Sequence, residues 1–199
     1  ADDRLVSNGS SSCHALALVL KVLNEKVGLK RATMTTVHAY TSDQQLSDSA
    51  GADLRWSRSA AQNIIPNSSW AAKAVMELMP ELEGKVNGMA LNVPVPAGSN
   101  IDLVAELDKP LTAEEYNAIF AEAAQGQYKG LLGYTTEPIV SSDIIGNPHS
   151  GVVDSQATLS LENGLVKSII WYDNGWAYAY RLLETAKKMA KLIAGGEVK

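Results

Sequence analysis

The alternation of apolar and polar positions along the chain predicts four helices. The first runs from Ser11 to Lys26, and Gly28 follows it as the C′ residue that ends the helix. The third begins at Thr112, with Glu115 at the capping-box offset. The four predicted helices are Ser11–Lys26, Ala71–Met79, Thr112–Gln125 and Gly175–Ala194.

Apolar and β-branched runs between these helices predict strands. The dipeptide Asn163-Gly164 is typical of a tight hairpin turn, so we expect the runs on either side of it to pair. The segment Thr41–Trp70 is rich in Ser, Asp and Asn and has few periodic features, which is typical of a long functional or disordered loop. The predicted strands are Arg4–Ser7, Ala32–Ala39, Val86–Val93, Ile101–Leu107, Ile139–Ser142, Gln156–Leu161 and Leu165–Trp171.

Helices that come early, midway and last, with most strands between them, indicate an α+β fold. We expect an antiparallel sheet with helices covering one face. The 199 residues fit one domain or two small ones, and 46% hydrophobic with 20% charged residues excludes a disordered or coiled-coil chain. The longest apolar run, Ala15–Leu20, is too short to span a membrane, and the polar start lacks a secretory core.

Charge and residue counts argue against several kinds of binding site. A formal net charge of −5 without a basic block argues against a nucleic-acid-binding protein, and one cysteine cannot form an internal disulfide. His14, His38 and His149 are far apart in sequence and no cysteines cluster, so we expect no metal site. The glycine fingerprints that cradle nucleotide phosphates do not occur either.

Three segments carry candidate chemistry. Ser and Cys residues cluster where the first helix begins, and a helix N-terminus favours an anion or a thiolate, although Ser10 or Ser11 also fits an ordinary N-cap. His38 ends a strand, where a lone histidine is usually structural unless a nucleophile faces it. Asp173 and Asn174 open the last helix, which by itself indicates an N-cap motif.

Taken together and in this order, these segments resemble the C-terminal catalytic domain of the glyceraldehyde-3-phosphate dehydrogenase family. The resemblance runs from about Leu5 to Ala190, and the segment Thr41–Trp70 resembles the long S-shaped loop of the photosynthetic and erythrose-4-phosphate dehydrogenase branches. It implies a mixed, mostly antiparallel sheet with helices on one face. It also implies that residues 1–199 are the catalytic domain and that the Rossmann domain for NAD(P), which would precede Ala1, is absent from this chain. The matching runs are SN-x-S, MTTVHAYT, SAAQNIIP, AAKAV, PEL-x-GK-x-NGMA, VPVP, KGLLGYT and IIWYDN.

The resemblance also implies roles for individual residues. His38 matches the catalytic histidine, and Ser11 stands at the position of the nucleophile. The cofactor is NAD or NADP in the full-length protein, oriented by Asn174 and packed beside Tyr178, with none expected bound to this chain alone. The partners implied are a small phosphorylated aldehyde, inorganic phosphate and further copies of the chain, in the cytoplasm or alternatively a plastid. Residues at the implied phosphate and substrate positions are Ser10, Ser12, Thr41, Asp43, Arg58, Ser69 and Asn92.

Three departures from the family pattern fall in one predicted site. Ser11 replaces the nucleophilic cysteine, and a hydroxyl is almost wholly protonated at neutral pH, whereas a free cysteine has a pKa of about 8.5. Cys13 lies two helical residues further on, a turn of about 200°, so we expect it to point away from His38. Asn92 replaces a phosphate-binding arginine, and Trp70 replaces a glycine, so a large ring is expected where phosphate meets the backbone.

These departures leave several interpretations of function open. The chain is the catalytic domain of an oxidoreductase with impaired phosphorylating activity, or a catalytically silent paralogue kept as an assembly or binding module. A changed substrate, such as an uncharged aldehyde, is a third interpretation.

Overall fold

The computed structural model describes residues 5–161 and 163–194, and within them it contains four α-helices, three short 3-10 helices and eight strands. The predicted α+β fold is confirmed. The helices are α1 (Ser11–Lys26), α2 (Ala71–Leu78), α3 (Ala113–Gln125) and α4 (Trp176–Ile193). The strands are β1 (Leu29–Ala39), β2 (Ile65–Ser68), β3 (Val86–Val93), β4 (Ser99–Leu107), β5 (Leu132–Thr135), β6 (Gly151–Asp154), β7 (Leu159–Ser160) and β8 (Leu165–Tyr172).

The strands form one mixed sheet in the order β2-β3-β1-β4-β8-β6-β5, with β7 paired to β8. The pairs β1–β3 and β5–β6 are parallel, and the remaining pairs are antiparallel. The parallel register of β1 and β3 places His38 opposite Asn92, which brings two predicted site residues side by side.

Alternation along the central strands separates a buried face of the sheet from a half-exposed one. Every second residue of β4 and β8 is buried, and the pair Ile101 and Ile170 lies on that face. Helix α1 packs on β1, β4, β6 and β8 and also contacts α2 and α3. On α3 the buried Tyr116 hydroxyl bonds to Ser168 on the same face (2.7 Å). The core therefore lies between the sheet and the helices α1 and α3.

The helix ends follow the local sequence signals. Ser10 is the N-cap of α1, since its Oγ accepts the Cys13 amide hydrogen at 3.1 Å. The capping box at Thr112 and Glu115 is present in both directions. Gly28 follows α1 with φ of +88°, a conformation that favours glycine. These ends confirm the predicted limits of α1 and α3.

Several predicted strands are wrong or displaced. Residues 5–7 of the predicted strand Arg4–Ser7 are not in a strand, and Arg4 lies outside the described residues. Ile139–Ser142 is not a strand because the Asp143 carboxylate accepts the Val140 amide hydrogen (2.8 Å) and bends the chain into a 3-10 turn. In Gln156–Leu161 the only strand is the two-residue β7, which pairs across the predicted hairpin with β8.

The sequence pattern does not predict three short strands. β2 lies inside the predicted loop Thr41–Trp70, and β5 and β6 form a parallel pair at the sheet edge. Strands of four residues with glycine give little periodic signal. Gly133 lets β5 and β6 approach closely, because an added Cβ would lie 2.9 Å from the Val152 side chain of β6. Tertiary pairing, rather than local preference, makes these segments strands.

The turn before β4 provides a test of backbone constraint. Gly98 has φ of +84°, and a Cβ added there would lie 2.0 Å from the Ser141 carbonyl oxygen. Gly146 has φ of +81° but open space around the same position. Gly98→Ala should therefore lower the free energy of unfolding by clearly more than Gly146→Ala, which should cost about 1–2 kcal/mol from φ alone. Urea unfolding of both variants measures the difference, and equal losses would show that Ser141 moves aside.

Candidate active site

The N-terminus of α1 presents a serine cluster toward the end of β1. Ser10 caps the helix, Ser11 is its half-buried first residue, and Ser12 is buried. Cys13 is only 2% exposed within the hydrophobic core, and burial raises the pKa of its thiol. The single cysteine is thus an unreactive core residue, whereas the serines occupy the helix end.

His38 stands on the helix-covered side of β1, two residues after Thr36. Its Nδ1 lies 2.6 Å from the Ala39 carbonyl oxygen, which can only accept, so Nδ1 carries the hydrogen. The other ring nitrogen, Nε2, is therefore the basic one in the neutral ring. Burial lowers the pKa of His38, more than the Ala39 carbonyl and the Asp43 carboxylate raise it. The ring is a neutral proton acceptor at pH 7.

Tyr172, at the end of β8, connects the helix to the strand. Its buried hydroxyl lies 2.7 Å from Ser12 Oγ and 2.6 Å from Thr36 Oγ1. Its ring meets the His38 ring edge-on, with centroids 6.1 Å apart. Burial raises the pKa of Tyr172, so the phenol keeps its proton. Ser12, Thr36 and His38 thus all contact one tyrosine, which the sequence analysis missed.

Asn92 joins this network from β3. It is buried, its Nδ2 lies 3.5 Å from the Ala39 carbonyl, and its Oδ1 accepts from Asn67 Nδ2 at 3.3 Å. Since His38 bonds the same Ala39 carbonyl, Asn92 and His38 share an acceptor. An uncharged pair of amides therefore lies beside the imidazole.

Ser99 links Asn174 to the end of β1 by hydrogen bonds. The buried Ser99 Oγ accepts the Ala39 amide hydrogen (3.1 Å) and donates its own hydrogen to Asn174 Oδ1 (3.2 Å). That bond orients the amide, so that Asn174 Nδ2 faces away from Ser99. Asp173 accepts the Gly175 and Trp176 amide hydrogens (2.8 and 2.7 Å) just before α4. The N-cap itself is Gly175, so the predicted N-cap at Asp173 or Asn174 is displaced by one or two residues.

Tyr178 lies one turn into α4, on the side facing α1. Its ring stacks on His14, with ring centroids 6.0 Å apart and 13° between the planes. Its carbonyl accepts a hydrogen bond from Asn8 Nδ2 at 3.3 Å. The histidine at this place on α1 therefore packs against an aromatic ring.

The remaining predicted residues make local contacts rather than bonds to the Tyr172 network. The Thr41 hydroxyl donates to the Asp43 carboxylate. Arg58 is exposed and pairs with Asp48 at 3.4 Å. Ser69 Oγ accepts the Ala71 amide hydrogen (3.3 Å) at the start of α2.

Trp70 lies just before α2 with its side chain at the surface. The residue is 69% exposed, and Lys73 Nζ lies 4.5 Å above the ring. The expectation that this ring obstructs a phosphate stays a prediction.

The part of the chain that the structure describes contains neither a metal-binding cluster nor a membrane-spanning helix. Within residues 5–161 and 163–194, no group of three or more His, Cys, Asp or Glu side chains is arranged to hold a metal ion. No helix in these same ranges is long and apolar enough to cross a membrane.

The α+β sheet and the histidine, tyrosine and serine network at one helix end define a candidate catalytic domain. The sequence matches the family described as glyceraldehyde 3-phosphate dehydrogenase, C-terminal domain, over residues 10–174. The chain therefore belongs to the C-terminal domain of the glyceraldehyde-3-phosphate dehydrogenase family.

Curated relatives agree with this assignment. The chain is 50% identical over 191 residues to glyceraldehyde-3-phosphate dehydrogenase 1 of Bacillus subtilis, covering 96% of this chain and 57% of the relative. It is 50% identical over 190 residues to the glyceraldehyde-3-phosphate dehydrogenase of Priestia megaterium, covering 96% and 57%. For that of Mycobacterium avium the identity is 48% over 189 residues, covering 95% and 56%. The chain thus spans little more than half the length of these bacterial relatives.

The Tyr172 hydroxyl provides a direct test of the network. Tyr172→Phe leaves Ser12 and Thr36 without their buried partner, and we expect a loss of about 2 kcal/mol or more in the free energy of unfolding. Tyr116→Phe is the matched control, since among the described residues that buried hydroxyl bonds to Ser168 alone, and it should cost about 1 kcal/mol. Urea unfolding measures the free energy of unfolding of both variants. A smaller loss for Tyr172→Phe than for Tyr116→Phe would contradict a Tyr172 hydroxyl shared by Ser12 and Thr36.

Proposed function

We propose that this chain supplies the catalytic side of an enzyme that oxidises a small phosphorylated aldehyde with NAD(P) and inorganic phosphate. The observation that carries the proposal is His38, whose Nδ1 is tied to the Ala39 carbonyl and whose ring packs on Tyr172. This arrangement leaves Nε2 as a base near the N-terminus of α1, where Ser11 stands. The identity of about 50% with bacterial glyceraldehyde-3-phosphate dehydrogenases supports the same reaction.

We further propose that this reaction is impaired in the present chain. Ser11 offers a hydroxyl that is far harder to deprotonate than a thiol, even beside a basic imidazole. Asn92 offers an amide instead of a guanidinium, so it provides no fixed positive charge and no paired donors for a substrate phosphate. Cys13 does not replace the missing thiol, because it is buried in the core.

Binding of phosphate would then rest on hydroxyls and on one exposed arginine. We assign Ser10, Ser12, Thr41 and Ser69, with Asp43 and Arg58, to the substrate and phosphate positions that the family resemblance implies. In this structure Ser12 already bonds Tyr172, and Arg58 already pairs with Asp48. Phosphate would have to compete with both contacts, which is consistent with weak binding.

Asn174 and Tyr178 fit the role of nicotinamide-binding residues. Ser99 holds the Asn174 carbonyl oxygen, so the amide nitrogen is the group left to donate to a carboxamide. A bound nicotinamide would supply the acceptor for hydride. We do not expect this chain alone to retain NAD or NADP, since Asn174 and Tyr178 are the only positions assigned to the cofactor here.

The alternative function is a catalytically silent module for assembly or binding. The replacements at Ser11 and Asn92 favour it, because they affect the nucleophile and the charge for phosphate without disturbing the fold around Tyr172. A cytoplasmic location suits both functions. The finer resemblance of the segment Thr41–Trp70 to the photosynthetic and erythrose-4-phosphate branches remains a prediction.

Restoring the two family residues distinguishes an impaired enzyme from a silent one. We would join this chain to the N-terminal part of the Bacillus subtilis relative and measure NAD(P)H formation with glyceraldehyde 3-phosphate and phosphate. Ser11→Cys alone should give little turnover, and adding Asn92→Arg should raise it by about 10- to 100-fold, the worth of a charge-assisted phosphate contact.

Two outcomes would contradict these proposals. Turnover at the relative's own rate from Ser11→Cys alone would refute the impairment assigned to Asn92. No turnover from the folded double variant would favour the silent module. Adding Cys13→Ser to the variants is the control, and it should leave their turnover unchanged because that thiol is buried.

We also propose that copies of this chain associate through the half-exposed face of the sheet. Val104, Ile169 and Trp171 lie on that face, opposite the helices. Size-exclusion chromatography with light scattering should give a mass above 21.2 kDa. Ile169→Lys should shift the chain toward the monomer, whereas Leu54→Lys, on an exposed loop, should not. A monomer at all concentrations would refute the proposal.

A further inference from the structure

The sequence contains four asparagine–glycine pairs, and this dipeptide is prone to losing ammonia. Glycine has no side chain to obstruct the approach of its backbone nitrogen to the preceding asparagine. The nitrogen bonds to the asparagine Cγ, the bond from Cγ to Nδ2 breaks, and ammonia leaves with the proton of the glycine amide. Water then opens the succinimide ring at either carbonyl group, which leaves aspartate or isoaspartate. The pairs are Asn8-Gly9, Asn87-Gly88, Asn163-Gly164 and Asn174-Gly175.

The reaction needs a glycine amide that is free to attack. An amide that already donates a hydrogen bond must first lose that bond and its proton, so it is the poorer nucleophile. In three of the four pairs the glycine amide donates such a bond. These donors and their acceptors are Gly9 with Ser7 Oγ (3.1 Å), Gly88 with Asn87 Oδ1 (2.8 Å) and Gly175 with Asp173 Oδ1 (2.8 Å).

The Gly164 amide is the exception. Among the described residues it donates to no acceptor, although the Gly164 carbonyl accepts the Leu107 amide hydrogen at 2.7 Å. Asn163 is exposed and lies outside the helices and strands, and its Nδ2, the leaving group, likewise has no acceptor in the described ranges. Gly164 is buried, but Asn163 Oδ1 accepts the Leu165 amide hydrogen at 3.1 Å, a contact that keeps Cγ folded toward the Gly164 nitrogen.

The other three asparagines are held more firmly than Asn163. Both ends of the Asn8 side-chain amide are hydrogen bonded, to the Tyr178 carbonyl (3.3 Å) and the Thr185 hydroxyl (3.2 Å). Asn87 lies within β3, which cannot turn there without losing its pairing with β1. The Oδ1 atom of Asn174 accepts a buried serine hydroxyl at 3.2 Å. Asn163 is therefore the asparagine that the fold leaves open to the reaction.

We propose that Asn163 deamidates spontaneously in the folded chain, while the asparagines of the other three pairs remain amides. The product carries one additional negative charge on the turn before β8, and its isoaspartate form inserts a methylene group into the backbone before Gly164. Tyr172 lies at the opposite end of β8, so this modification site is independent of the function proposed for His38.

Peptide mapping by mass spectrometry tests the proposal on the whole chain. After incubation of the folded chain in mildly alkaline buffer, Asn163 should become aspartate and isoaspartate about tenfold or more faster than the other three asparagines, because each of those must first lose a hydrogen bond or strand pairing. In urea all four should react at similar rates, since the dipeptide is the same. Equal rates in the folded chain, or the same preference for Asn163 in urea, would overturn the proposal.

Two exposed asparagines provide a matched pair of variants. Anion-exchange chromatography of the incubated folded chain should resolve a more acidic form. Asn163→Gln should remove this form, because glutamine would have to close a larger ring that forms more slowly. Asn87→Gln changes an exposed asparagine within β3 and should leave the acidic form unchanged. An acidic form that persists in Asn163→Gln, or that disappears in Asn87→Gln, would show that the site is assigned wrongly.

Discussion

The hydroxyl of Tyr172 is the contact on which the geometry of the candidate active site depends. It is fully buried, and it holds Ser12 at the start of α1 and Thr36 near the end of β1. A hydroxyl in such a place must be satisfied, because each lost buried hydrogen bond costs about 1–3 kcal/mol. The packing of α1 on the sheet is thereby fixed near the end of β1 that carries His38.

The other polar groups of the site lie at the same end of the sheet. The parallel register of β1 and β3 places Asn92 beside His38, and Ser99 at the start of β4 links Ala39 to Asn174. Each of these bonds orients a group that faces the site. Asn92, which shares the Ala39 carbonyl with His38, thus belongs to an intact network.

Helix α1 serves two distinct regions of the molecule. Its first turn carries Ser12, which bonds Tyr172, while its outer flank, with His14, Leu18 and Lys21, lines the cavity beside α4. The polar network at the first turn is closed by internal hydrogen bonds.

The sequence by itself determined the long elements and the family. Capping residues and glycine fixed the ends of α1 and α3, and motifs around His38 and Asn174 identified the candidate site. Tertiary structure alone decided the short strands β5 and β6, the exposed position of Trp70, and the role of Tyr172. The physical reason is distance along the chain: helix caps involve neighbours within a few residues, whereas Tyr172 and Ser12 are 160 residues apart and meet only when the sheet has formed.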